Sequence, residues 1–316
     1  MPVSTGIWFF PDSPGAGIVD TITAAEEAGV GAVWLGDEGP ARDPFALLAA
    51  AARSTSRIRL GVGVTNPYLR HPATTAASAI TVHELSGGRM ILGIGPGGDL
   101  ALGPAQVARV RPLEATRRAV RIIRAVSRGE PTEGYTPMEH AIQAPDLPVY
   151  IGARSEGFNR FASESADGVL LGGIPRSQLA PTLAWARSVR EIDAALFVNA
   201  VFDNDWREHV RPQMIWPILD APESTRSRLG VTLEDVQRAA AALADGDEGP
   251  ARKVVDDGVL DDMVLAGSPE MVGRRLADEL GPLRPTSVGI ALLTDDPLAT
   301  LEPVAVALAV AARRIG

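Results

Sequence analysis

The sequence predicts an α/β protein folded as a (β/α)8 TIM-like barrel with a helical insertion after its seventh strand. Three observations predict it. Eight short apolar, β-branched runs are spread along the 316 residues. Amphipathic helical stretches separate them, and strand–helix alternation implies parallel strands joined by crossover helices. The chain also exceeds the roughly 250 residues usual for such a barrel, and the excess falls in one polar segment, residues 203–267, rich in Ala, Arg and Asp. An open doubly wound sheet with a helical cap is the other arrangement that alternation permits. The count of eight strands and the lack of any composition shift favour a single barrel domain spanning 1–316.

In chain order, the expected strands are residues 3–9, 32–35, 58–64, 90–94, 149–151, 168–171, 196–201 and 287–292. The clearest helix covers 113–128. There Ala115, Ala119, Ile122, Ile123 and Val126 share one face, while Arg117, Arg118, Arg121 and Arg124 fall largely elsewhere. Ser268-Pro269-Glu270 reads as a helix start, with a capping serine, proline at the first helical position and an acid in the first turn. Asp43-Pro44 opens another helix in the same way. Residues 99–112, interrupted by Pro104, read as loop.

Composition excludes several chemistries. The chain has no cysteine, hence no disulfide framework, thiolate nucleophile or iron–sulfur cluster. Lys253 is the one lysine and sits in a charged stretch, which argues against a Schiff-base enzyme. Thirty basic against 39 acidic residues leave a charge of −9, unsuited to general nucleic-acid binding. The first ten residues carry no basic n-region. The most apolar run, 304–312, is far shorter than the roughly 20 residues of a membrane span. Together these lead us to expect a cytoplasmic protein without membrane or nucleic-acid partners. His71, His83, His140 and His209 form no metal-binding spacing, and no GxSxG nucleophile elbow is present.

The chemistry-bearing residues fall at predicted strand ends. Gly93-Ile94-Gly95-Pro96-Gly97-Gly98 matches GxGxxG, but a dinucleotide site needs a helix opening directly after it. It reads better as a glycine-rich loop at the mouth of the fourth strand, where Gly95 and Gly97 let a flat cofactor approach the backbone. The stretch Gly61-Val62-Gly63-Val64-Thr65-Asn66-Pro67 ends the third strand; its glycines fit either a bulge beside a ligand or an ordinary glycine-tolerant strand. After the fifth strand, Gly152-Ala153-Arg154-Ser155 leads into a helix. Its first N–H groups, the Ser155 hydroxyl and the Arg154 guanidinium either bind an anion or form a plain cap beside a solvated arginine. Gly172-Gly173 is the neighbouring loop. Asp37-Glu38 closes the second strand, where a carboxylate either serves a cofactor ring or is simply solvated.

These residues carry a resemblance. GVGVTNPYLRHP at 61–72, ELSGGR at 84–89 and LGIGPG at 92–97 resemble the bacterial-luciferase-like superfamily. Within it they are most similar to the coenzyme F420-dependent reductases of the methylenetetrahydromethanopterin reductase type. The likeness continues through 33–37, 112–130, 149–170 and 266–270, nearly the whole chain apart from the insertion. The resemblance implies a barrel whose strand ends hold a tricyclic ring. A bulge with a non-prolyl cis peptide at about Gly63-Val64, next to Thr65, would support one ring face. The loop Gly152, Ala153, Arg154, Ser155 would take the phosphate of the cofactor tail beside Gly172 and Gly173, and Asp37 would contact the ring's polar edge. It also implies a homodimer.

The sequence departs from that pattern on the substrate side. Glu38 stands where many relatives have histidine, Trp8 where the reductases have an acid, and Arg154 where they have glutamine. The implied function is hydride transfer between reduced F420 and a C=C or C=N bond of a small molecule. Glu38 is the first candidate proton donor and Asp37 the second, with Trp8 a flat apolar wall for the substrate. An FMN-dependent monooxygenase, or a non-catalytic flavin-binding relative, is the alternative.

Overall fold

A computed structural model describes residues 3–37, 39, 41–138, 140, 142–152 and 154–316. Among these, the eight expected strands all form: β1 (Ser4–Phe9), β2 (Ala32–Leu35), β3 (Arg59–Thr65), β4 (Met90–Ile94), β5 (Val149–Gly152), β6 (Gly168–Leu171), β7 (Asp193–Val201) and, last in the chain, β9 (Ser287–Leu292). Every pairing is parallel, in the order β6-β5-β4-β3-β2-β1-β9-β7, and β6 pairs with β7 to close the ring. The sheet is therefore a closed barrel, and the open-sheet alternative is excluded.

Helices α1 (Gly15–Glu27), α2 (Pro44–Ser54), α3 (Pro72–Leu85), α4 (Asp99–Leu102), α5 (Pro112–Arg128), α6 (Glu156–Ser165) and α7 (Arg176–Ala186) connect the first seven strands. The sequence signals for their ends hold. Asp43 caps α2 by accepting from the Phe45 and Ala46 N–H groups at 2.8 and 3.2 Å. His71, which precedes Pro72, caps α3 by accepting from Ala73 N–H. The expected inner face of α5 is buried through Ala119, Ile122, Ile123 and Val126. One expectation is corrected: residues 99–112 are not all loop, since α4 opens directly after Gly98. It is a single turn of four residues ending at Gly103.

The insertion contains α8 (Asn204–Val210), α9 (Ile215–Leu219), α10 (Glu223–Leu229), α11 (Leu233–Ala244), α12 (Gly249–Val254) and α13 (Asp257–Met263). It has its own apolar cluster, with Met214, Ile215, Ile218, Val236 and Leu260 buried together. The expectation of a helical insertion over 203–267 is corrected at its end, which forms a ninth strand, β8 (Val264–Ala266). Nine-residue β7 overshoots four-residue β6: β6 pairs with Asp193 to Leu196, and β8 pairs with Asn199 to Val201 beyond it. The short strand thus satisfies backbone groups that the overshoot would otherwise leave on an open edge. From there α14 (Pro269–Leu280), capped by Ser268, leads to β9 and the final helix α15 (Leu301–Ile315).

Most of the core lies between barrel and helices. A smaller cluster fills the barrel itself, built on the rings of Trp34, Tyr150 and Phe197. Each large ring faces a glycine. An added Cβ would lie 2.5 Å from Trp34 at Gly61, 2.7 Å from Tyr150 at Gly168 and 2.2 Å from Phe197 at Gly289. Large-against-small packing of this kind fills a barrel at ordinary interior density. It resolves the two readings of Gly61, which serves the Trp34 ring rather than a ligand.

Candidate active site

Because all strands run parallel, the residues following them meet at one rim. That rim gathers Trp8 from β1, Asp37 after β2, Gly63, Val64 and Thr65 from β3, Gly95 and Gly97 after β4, Gly152, Arg154 and Ser155 at the end of β5, and Gly172 and Gly173 after β6. Glu38 and Ala153 lie outside the described residues.

The third strand carries the expected irregularity. Register is kept from Leu60 to Val62 against β4 and resumes at Thr65, so Gly63 and Val64 have no partner residue on β4. The Gly63-Val64 peptide is cis. The glycines around this bulge act mainly by steric necessity. A Cβ would approach Val64 methyl carbons to 2.9 Å from Gly93, 2.9 Å from Gly95 and 2.5 Å from Gly152. It would also meet the Gly152 carbonyl oxygen at 2.4 Å from Gly95. Gly95 and Gly152 therefore admit the Val64 side chain before they admit any ligand. Gly97 has a different reason, a φ of +72° that favours glycine.

Polar groups gather next to the bulge. Burial pushes the Asp37 carboxyl above its ordinary pKa, and nearby Asp43 adds to the rise, while the Thr65 hydroxyl and the Arg70 guanidinium oppose it. The Thr65 hydroxyl lies close enough to Asp37 to favour its charged form, but outside the geometry of a full hydrogen bond, and its buried Oγ1 has no other partner. Asn66, 1% exposed, accepts the Tyr68 and Leu69 N–H groups at 3.1 and 3.0 Å. Its buried Nδ2 is likewise unpartnered. A buried polar atom without a partner costs about 1–3 kcal/mol, and these two consecutive residues each carry such an atom at the bulge. Sequence reading placed Asn66 in the motif but gave it no role. The available signal was an Asn-Pro pair directly after a strand that carries a ligand loop.

Farther round the rim, at the end of β5, lie the residues read in the sequence as an anion site or a plain cap. Ser155 precedes α6 at its cap position, and its hydroxyl makes no capping bond, leaving the first-turn N–H groups without a side-chain cap. Arg154 is not a solvated arginine. Its guanidinium donates to the Pro217 carbonyl at 2.7 Å, and a Cβ on Gly173 would come within 2.7 Å of it. The insertion is thereby held over the β5 and β6 loops. It is held over the β4 loop as well: Arg109 donates to Gly97 O at 2.8 Å and to Asp220 at 3.2 Å, and Asp220 accepts from Asp99 N–H at 3.3 Å. Among the described residues no cluster of three His, Cys, Asp or Glu side chains could hold a metal ion, and no helix is long and apolar enough to cross a membrane.

A closed parallel barrel with a cis-peptide bulge ending its third strand is the arrangement implied by the resemblance in the sequence. Residues 5–282 match the family described as luciferase-like monooxygenase. The chain belongs to this family. Among curated relatives, the 5,10-methylenetetrahydromethanopterin reductase of Methanopyrus kandleri is 30% identical over 313 residues, covering 88% of this chain and 89% of that one. The reductase of the same name from Methanolobus tindarius is 30% identical over 293 residues, covering 87% and 90%. Among solved structures, the coenzyme F420-dependent tetrahydromethanopterin reductase from Methanopyrus kandleri superposes with a TM-score of 0.81 at 27% identity, covering 96% of this chain and 98% of that one. The dinucleotide reading of residues 93–98 is set aside: the loop belongs to this barrel, and one turn of helix follows it.

Proposed function

We propose that this luciferase-like protein is an oxidoreductase that binds coenzyme F420 at the carboxyl ends of β2 to β6 and transfers hydride between it and a C=C or C=N bond of a small molecule. The relatives named as reductases support the reaction class, and the solved relative named as F420-dependent supports the cofactor. The observation that carries the reading is Asp37 facing Thr65 at the end of β3, where Thr65 Oγ1 and, one residue on, Asn66 Nδ2 are buried without a hydrogen-bond partner. A deazaflavin ring has an apolar body and a polar carbonyl and amide edge, which matches a bulge flanked by such groups.

When bound, the deazaflavin supplies the hydride. The protein supplies the rest. The Gly63-Val64 backbone supports one face of the ring, and the polar edge is taken by Asp37, Thr65 and Asn66. The N–H groups at the start of α6, with Ser155, Gly172 and Gly173, take the anionic tail. Arg154 holds the insertion above them. On the open face Trp8, packed edge-to-face on Phe10 at 4.5 Å, offers a flat apolar wall. That wall suits an unsaturated, weakly polar substrate better than a charged one. Reducing a C=C or C=N bond also consumes a proton. Asp37 retains one more readily than an ordinary aspartate because burial disfavours its charged form. Glu38, the first candidate donor in the sequence, is the other donor in this reading.

Titrating the purified protein with F420 and with FMN, followed by fluorescence, tests the assignment. Binding of F420 in preference to FMN is expected. Tight FMN binding with none to F420 would overturn it in favour of an FMN-dependent monooxygenase. Asp37→Asn and Glu38→Gln then identify the proton donor, which is the variant that abolishes turnover even when the cofactor is saturating.

A further inference from the structure

Strand β1 does not neighbour β3, because β2 lies between them. Trp8 nevertheless reaches across. Its register partners are Trp34 on β2 and Ala291 on β9, and its indole Nε1 donates to the carbonyl oxygen of Gly63. That carbonyl belongs to the bulge, where the β3 ladder lapses: β2 pairs with β3 only as far as Val62, and β4 resumes only at Thr65. The indole therefore takes the place of a strand partner for Gly63. The ring is itself held. Phe10 packs against it edge-on with an interplanar angle of 76°. A Cβ on Gly63 would come within 3.1 Å of Trp8 Cδ1, 2.9 Å of Leu170 and 3.2 Å of Trp34. The bulge is closed on this side by three side chains, of which Trp8 alone bonds to its backbone.

We infer that Trp8 is a positioning residue whose indole N–H sets the place of the Gly63-Val64 backbone, and through it the seat of the cofactor ring. The inference deepens the reading of this site as a deazaflavin site and rests on it. Two roles are thereby separated within one side chain: the ring's flat face is a substrate wall, and its N–H is a brace for the cofactor seat.

Two substitutions divide those roles. Trp8→Phe keeps an aromatic wall and removes the donor. Trp8→Gln removes the wall and keeps an amide N–H, four bonds from Cα as the indole N–H is. Without that bond, worth about 1 kcal/mol net, the seat is no longer held in the cofactor-free protein, and cofactor binding must restore its place at a cost of up to about fivefold in affinity. Trp8→Phe is therefore expected to weaken F420 binding about fivefold and to shift the absorbance of the bound ring, with substrate KM nearly unchanged. Trp8→Gln is expected to hold F420 within about twofold of the wild type while raising substrate KM. In the protein without cofactor, the Trp8 indole N–H, assigned by its loss in Trp8→Phe, is expected to exchange with solvent slowly.

If Trp8 were only a wall, Trp8→Phe would bind F420 like the wild type, and that result overturns the inference, as does rapid exchange of the indole N–H. Urea midpoints of both variants show whether each is folded. The wild-type titration is read first. Should it bind FMN and not F420, the cofactor assignment fails, and the same comparison with FMN decides whether Trp8 positions the ring. Should it bind neither, the inference fails with the assignment.

Discussion

Gly152 has no room for a methyl group, and the obstacle is one side chain. A Cβ placed there would lie 2.5 Å from Val64 Cγ1 and 3.2 Å from Cγ2, against an ordinary carbon–carbon separation of about 3.5–4.0 Å. Val64 is β-branched, sits in the bulge and has no flexible end to swing away. Gly152→Ala should therefore carry an overpacking cost of about 2 kcal/mol, within the usual 1–3. Val64→Ala removes both offending methyls and by itself should cost about 1 kcal/mol in lost packing. Together the two changes fit, so the double variant should be more stable than the sum of the single effects by about 1–2 kcal/mol. Gly95→Ala is the control. Its Cβ meets the Gly152 carbonyl oxygen at 2.4 Å, a backbone atom that Val64→Ala does not remove, so no comparable rescue is expected. Urea unfolding of the three single variants and the two doubles with Val64→Ala, read as shifts of midpoint at a common slope, gives the coupling. Additivity of Gly152→Ala and Val64→Ala within about 0.3 kcal/mol would refute the packing account of these glycines.

Other consequences are as direct. At the opposite end of the barrel, partial burial raises the Glu26 carboxyl, but the N–H groups of Ile58, Arg57 and Ser56 and the Ser56 hydroxyl outweigh it and hold the pKa at about 2. Since the folded value is lowered, the stabilisation is complete above the ordinary 4.5 and is lost as pH falls towards 2. Glu26→Gln should cost about 1–2 kcal/mol at neutral pH, with the loss shrinking below pH 4.5 in pH-dependent thermal melts. Asp37 has the opposite sign: its folded pKa is raised, so its charge opposes folding above that value and Asp37→Asn should stabilise the cofactor-free protein at neutral pH. The same substitution should weaken ring binding, and a lower melting temperature in the variant would count against the burial of the charge. Asp220→Ala breaks the clasp to Arg109 and Asp99. It should cost about 0.5–1 kcal/mol globally, because the pair is only partly buried, while hydrogen exchange across 215–229 rises far more.

How much could be read in advance depends on how locally each feature is specified. The capping of α2 by Asp43 and of α14 by Ser268 involves atoms within three residues of each other. Such starts follow from the side chain and the first turn alone. Asn66 was missed because its Oδ1 makes an ordinary turn with Tyr68 and Leu69; only the fold reveals that the amide nitrogen is sealed in without a partner. Arg154 was read as an anion ligand or a solvated residue, whereas its acceptor, Pro217, comes from an insertion whose path no local pattern describes.

From the sequence alone came the eight barrel strands, the rim glycines and Asp37, the place of the insertion and the family. Strand–helix periodicity and capping depend on neighbours along the chain, and the ligand loops fall where strands must end. Tertiary structure decided what those residues touch. It placed β8 on the overhang of β7, matched Gly61, Gly168 and Gly289 to three aromatic rings, wrapped Gly95 and Gly152 around Val64, and carried the Trp8 indole over β2 to Gly63. The physical reason is distance in sequence: Trp8 and Gly63 are 55 residues apart, and their bond exists only once the barrel has closed.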